Sequence, residues 1–246
     1  MALVLAVIGL CGLAVAGLGI RAQLKPRTFT AAQQKRIVAW EIAKRWRPTP
    51  KAKLFPAHIR YKLGKATSSG AVSLTAKRLE VAPQATCKVA AGGSRQLMSI
   101  LGGNGCDALL RSTYTDSTSS LVVTAGIAVL TSTTTATDAA KFLTGGAAVG
   151  QGGLARQLVL RPFQVSGTPA ANYSFPQRQL SWVVAAGPYL VMTTVGYADG
   201  RPRVQVNSDS YAFQEMTSLA RGVAVRIAAS LAAAPPVPRC PGAPSC

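Results

Sequence analysis

Read from its start, the chain opens on an unbroken apolar run: residues 2–20 carry no charged side chain. As a helix these 19 residues span roughly 28 Å at about 1.5 Å each, close to the ~30 Å hydrocarbon core of a bilayer. The run reads as a single-pass membrane anchor over 1–22. Helical periodicity follows. Thr28 or Thr30 stands as N-cap of a helix through AAQQKRIVAWEIAKRW that stops before Pro48. Val38, Ile42 and Trp46 share one of its faces, and Arg36, Trp40, Lys44 and Arg47 lie on another. Residues 48–56, with three prolines, read as a linker.

Beyond the linker the period changes. His58–Leu63 alternates strictly, the pattern of a half-buried strand with Ile59, Tyr61 and Leu63 inward. Residues 64–70 read as a loop, Val72–Val81 as a strand and 88–101 as a helix ended by Gly102 and Gly103. Ala108–Thr115 and 121–130 form a hairpin, and Thr134 or Thr137 caps a short helix to Leu143. A glycine-rich loop over 145–153 leads to a strand over 158–163. Arg178–Ala186 and 189–198 form a second hairpin around Gly187 and Pro188, and Asp199-Gly200 is its exit turn. A long helix starts at Tyr211 and runs to about Ala233, with Phe213, Met216, Leu219, Ala220, Val223, Ile227 and Leu231 along one stripe. The expected fold is α+β: a transmembrane helix, then a mainly antiparallel sheet with helices packed on one face. The two hairpin-plus-helix units read as a degenerate repeat. The division is anchor 1–22, basic juxtamembrane helix and linker 23–56, globular domain 57–234 and Pro/Cys-rich tail 235–246.

Charge narrows the partners. The net charge is +19, and residues 21–65 hold 13 Lys or Arg against one acid, Glu41. The other 14 basic residues face seven acids, so the body reads as mildly basic and the excess sits beside the anchor. That placement points to anionic lipid headgroups or an acidic envelope polymer, with a protein partner as a further expectation. Nucleic acid is not expected, because its binders carry the basic patch on the folded domain. Arg36, Trp40, Lys44 and Arg47 are the expected membrane or anion contacts.

Cysteine usage bears on the compartment. Cys11 lies in the apolar run; Cys87, Cys106, Cys240 and Cys246 form an even set, and local pairing favours Cys87–Cys106 and Cys240–Cys246. Topology has two readings. The basic flank after the apolar run places the body in the cytoplasm by the positive-inside rule. The paired cysteines and the Thr/Ser/Ala-rich body place it outside, the expectation adopted here. Ala14-Val15-Ala16 also fits a signal-cleavage pattern.

Catalytic signals are sparse. His58 is the one histidine, on the polar side of its strand, and there is no G-x-S-x-G elbow or zinc-like spacing. Asp116 and Asp199 sit in predicted turns, Asp209 near a helix start and Asp138 in a first helical turn, ordinary places for Asp. GGAAVG over 145–150 continues as Gln151-Gly152 and lacks the phosphate-loop lysine; Asn172-Tyr173-Ser174 is a short sequon of the kind that arises by chance. No catalytic residue, cofactor or metal is expected. The leading reading is a membrane-anchored extracytoplasmic binding protein, not an enzyme. Its alternatives are a cytoplasm-facing tethered binder of anionic lipid or nucleic acid and a cryptic hydrolase using His58.

Four segments carry a resemblance: LFPAHIRY at 54–61, CDALLRSTYTD at 106–116, GPYLVMTTVGYADGRPR at 187–203 and the cysteine tail at 240–246. With them the chain resembles a family of uncharacterised actinobacterial single-pass membrane proteins with an Ala/Arg/Thr-rich extracytoplasmic domain. The resemblance covers most of the chain after Arg27. It implies a membrane-anchored, extracytoplasmic protein and brings no catalytic residue with it. The chain departs from the pattern in lacking a basic segment ahead of its apolar run.

Overall fold

The computed structural model describes residues 29–63, 72–91, 94–146, 152–157, 159–205 and 207–235. The expected anchor, the loop over 64–70 and the Cys240–Cys246 pair lie outside these residues. The chain divides into two compact units, 1–41 with 234–246, and Ile42–Ala233. Of the first, residues 29–41 and 234–235 are described. Helix α1 (Ala31–Lys44) begins there. Thr30 Oγ1 accepts the Gln33 N–H at 3.3 Å, and Gln33 Oε1 accepts the Thr30 N–H at 2.9 Å, a reciprocal cap.

The second unit holds all the remaining elements of the described residues. They are α2 (Lys51–Leu54), β1 (His58–Leu63), β2 (Val72–Val81), α3 (Cys87–Ala90), α4 (Arg95–Gly103), β3 (Ala108–Thr115), β4 (Leu121–Val129), α5 (Thr133–Thr144), β5 (Gly153–Leu154), a 3-10 turn (Phe175–Gln177), β6 (Arg178–Ala186), β7 (Tyr189–Tyr197) and α6 (Tyr211–Ala232). One antiparallel sheet runs in the order β1-β2-β3-β4-β7-β6-β5. Helix α6 packs against β1, first in that order, and also against β4, β7 and β6. In a flat sheet β1 and β6 would lie about 24 Å apart, at ~4.8 Å per strand, more than twice a helix diameter. The sheet therefore curls around α6.

The larger core fills this trough. Ile59 and Tyr61 from β1, Val123 and Ile127 from β4, and Tyr189 and Val191 from β7 meet Met216, Leu219, Val223 and Ile227 of α6. Ala220, Ala224 and Ala228 are buried on the same stripe and let the helix sink toward the strands. Gly222 has the closest approach: a Cβ there would lie 2.3 Å from Tyr61 Cβ. Arg45 donates to the carbonyls of Ser230, Leu231 and Ala233 and so caps the C-terminal end of α6 with a positive charge.

A second core lies on the opposite face of the sheet. Leu190 and Met192 of β7 and Val183 of β6 pack with Ala136, Ala140 and Leu143 of α5 and with Leu97 and Leu101 of α4. The expectation of helices on one face is thus corrected: alternate positions of the central strands are apolar in both directions, so both faces need cover. The repeat fails for the same reason. A twofold exchanging the antiparallel β3-β4 and β7-β6 hairpins keeps each face of the sheet in place, yet α5 and α6 lie on opposite faces.

Four local expectations also change. The linker over 48–56 contains α2 and sends Leu54 and Phe55 into the first core, and the compact unit begins at Ile42, inside the segment assigned to the juxtamembrane region. The helix over 88–101 is two helices, the second capped by Ser94 through the Leu97 N–H. Helix α5 starts earlier than read, capped by Ser132, which moves Asp138 out of the first turn. No strand forms over 159–163. Leu160 lies across the outer face instead, over Gly126, where a Cβ would come within 2.9 Å of it. Thr113 donates to the Phe163 carbonyl at 2.6 Å and Thr124 accepts the Phe163 N–H at 3.0 Å, so side chains replace a strand partner. The Cys87–Cys106 disulfide forms as expected, with Cα atoms 6.2 Å apart, and joins the start of α3 to the residue pair before β3.

Gly222→Val is expected to cost about 2 kcal/mol or more and to lower the Tm by roughly 5 °C, since the branched side chain meets Tyr61 at the helix–strand contact. Thermal unfolding followed by circular dichroism checks it; an unchanged Tm would mean that α6 is not seated as described.

Candidate anion-binding groove

The alternation that buries Ile59, Tyr61 and Leu63 turns His58, Arg60 and Lys62 outward. His58 is exposed, opposite Lys77 in the β1–β2 register, and lines none of the cavities described here. The predicted turn acids do structural work. Asp116 is buried; its Oδ1 accepts the Leu121 N–H at 2.8 Å and its Oδ2 the Thr118 N–H at 3.1 Å. Asp199 accepts the Arg201 N–H at 3.0 Å. Among the described residues no three His, Cys, Asp or Glu side chains gather where a metal would need them.

The four expected contact residues are all exposed. Arg36, Trp40 and Lys44 follow one another at four-residue spacing on α1, and Trp40 is 59% exposed. Arg47 is different: it pairs with Asp107 at 2.9 Å and lies 5.2 Å from the Trp46 ring centroid. Among the described residues no helix is long and apolar enough to cross a membrane.

A different set of cations comes together above α6. The outer face of that helix, from Phe213 through Gln214, Thr217, Ser218 and Arg221 to Arg226 and Ala229, forms the floor of a groove of about 750 Å³. Arg60 and Lys62 reach it from β1, Trp182 from β6, and Ser208 and Asp209 from the turn before the helix. Four basic side chains thus face one acid. The Arg221 guanidinium sits 5.8 Å from the Trp182 ring centroid. The Thr217 hydroxyl is buried and has no hydrogen-bond partner among the described residues. A second cavity, of about 630 Å³, shares Phe213 and is lined also by Arg156 and Arg203.

The charge of the unit agrees with its groove. Ile42–Ala233 contains 21 Lys or Arg against seven Asp or Glu, a surplus of 14. The expected mildly basic body is corrected: eight of the basic residues ascribed to the anchor's flank, Lys44 to Lys65, belong to the folded unit. Arg60, Lys62, Trp182, Arg221 and Arg226 were not singled out in the sequence, because nothing local to β1 says that it ends up beside the last helix.

Near the start of α6, Glu215 lies close enough to Asp116 and Tyr61 for their charges to interact. Partial burial, then the Asp116 charge, raises the Glu215 carboxyl above its ordinary value; burial followed by those two acids pushes the Tyr61 phenol up as well. With Asp116 committed to its own turn, this pair reads as packing and not as acid–base chemistry. Compared with family models, curated proteins and solved structures, the chain matches none.

A carboxyl whose folded pKa is raised favours the folded state when protonated; that stability is present below its ordinary pKa and is lost as pH rises through the raised value. Glu215→Gln is therefore expected to raise the Tm at about pH 7 and leave it unchanged near pH 3.5. A variant less stable than the native chain at pH 7 would contradict the assignment.

Proposed function

We propose that this chain is a membrane-tethered binding protein, not an enzyme, whose body works outside the cell and holds an anionic envelope component in the groove over α6. The observation that carries the proposal is the convergence of Arg60, Lys62, Arg221 and Arg226 around one acid, on a unit with a surplus of 14 positive charges. The apolar run over 2–20 supports a tether, and the Cys87–Cys106 disulfide supports an oxidising compartment. Membership of the actinobacterial single-pass family is part of the same proposal. Arg36, Trp40 and Lys44 are proposed to meet lipid headgroups, with Arg47 occupied by Asp107. The charged unit also favours one second reading, a nucleic-acid binder facing the cytoplasm. The hydrolase reading has no support in the placement of His58.

Two measurements test this. A membrane-impermeant maleimide applied to intact cells should label Cys87 and Cys106 only after prior reduction; labelling that requires lysis and no reductant would put the body in the cytoplasm. Binding of the full chain in detergent to dextran sulfate should weaken about tenfold or more at low salt when Arg60, Lys62, Arg221 and Arg226 are all changed to Gln. Unchanged affinity in a variant that keeps its native Tm would remove the groove from the proposal.

A further inference from the structure

We infer that the ligand of this groove is a linear acidic glycan, an inference that rests on the groove being the binding site. Its length argues for a chain and not a compact headgroup. From Phe213 to Ala229 the floor runs about 24 Å along α6, at ~1.5 Å per residue. The cations are distributed along it and not gathered at a point. Arg60 and Lys62 are two strand residues apart, about 6.6 Å, and Arg221 and Arg226 are five helical residues apart, about 7.5 Å of rise. A single phosphate would engage one end of that array; a chain bearing an acid at intervals engages all of it.

The surfaces between the cations choose among chains. Ser208, Gln214 and Ser218 offer hydroxyl and amide groups, donors and acceptors suited to sugar hydroxyls. Trp182, with the Arg221 guanidinium over its ring, and Phe213 add aromatic surface to the groove, the kind on which the C–H face of a sugar ring stacks. Asp209 accepts from hydroxyls but repels a continuous polyanion, so a chain in which hydroxyls alternate with acids suits the groove better than a phosphodiester backbone. A peptide fits less well. Helix-in-groove binding needs a continuous apolar floor, and here Gln214, Ser218, Arg221 and Arg226 interrupt the apolar surface between Phe213, Val225 and Ala229. Strand addition is opposed by charged Arg60 and Lys62 along β1, the usual protection of a sheet edge.

The test is calorimetry on the full chain in detergent with four probes: an oligogalacturonate, dextran of similar length, poly-L-glutamate and an oligothymidylate. The oligogalacturonate should bind about tenfold or more tighter than dextran and lose affinity as salt rises. Trp182→Ala should weaken it roughly tenfold and poly-L-glutamate much less, whereas Trp182→Phe, which keeps a ring and the packing, should retain most of the affinity. Poly-L-glutamate or the oligothymidylate binding as tightly as the uronate, with no dependence on Trp182, overturns the glycan while leaving an anion groove. If no polyanion responds to the paired change Arg221→Gln and Arg226→Gln at unchanged Tm, the groove fails too.

Discussion

The seating of α6 in the curled sheet is the constraint on which the rest of this structure depends. One helix touches β1 at one end of the sheet order and β6, the strand next to the other end, and it does so because Ala220, Gly222, Ala224 and Ala228 keep its inner side thin. Curling brings β1 beside the helix, and with it Arg60 and Lys62. The outer side of α6 is then left as the one long surface between β1 and Trp182. The groove is a by-product of closing the trough. Arg45 and Tyr189 add to the arrangement: one caps the last turn of α6, and the other donates its hydroxyl to the Ile42 carbonyl, so residues at the start of the compact unit are bound to later elements.

Electrostatics gives this unit its character. Among the described residues one cation is inside, satisfied by neutral groups. Arg178 is buried, stacks on Phe175 with its guanidinium carbon 3.4 Å from the ring centroid, and donates to the Phe175 carbonyl at 3.0 Å. Burial, with Arg203 adding to it, pushes its pKa down to about 10. The pairs Arg47–Asp107, Lys141–Asp138 and Arg201–Asp199 are exposed, each worth little. A surplus of 14 charges is therefore left largely to solvent, where it raises the local concentration of anions and steers them toward the surface.

Much of the fold is visible in the pattern of residues. The strict alternation of His58–Leu63 places every inward and outward side chain correctly, both hairpins form at their expected turns, and the stripe on the last helix is buried from Met216 to Leu231, with Phe213 half-buried at its edge. Local spacing also identifies the Cys87–Cys106 pair. What stays hidden is what tertiary structure alone decides. The apolar pattern around Leu160 is a true burial signal, but its partner is the face of β3 and β4 and not a strand edge. Proline-rich residues 48–56 look like a spacer, although Leu54 and Phe55 are core. The groove is the clearest case: Lys62 and Arg226 are 164 positions apart, and only the return of the last helix across the first strand joins them.

Trp182 makes the central claim, that the outer face of α6 is where an anion is held, open to one direct measurement. With Trp40 and Trp46 changed to Phe, it is the single tryptophan of the chain and lies at the wall of the groove beside Arg221. Titrating that variant, as the full chain in detergent, with an acidic polymer should shift or quench the Trp182 emission with the same midpoint as binding measured by calorimetry. Binding that proceeds while the Trp182 emission stays constant would place the ligand elsewhere and contradict the account.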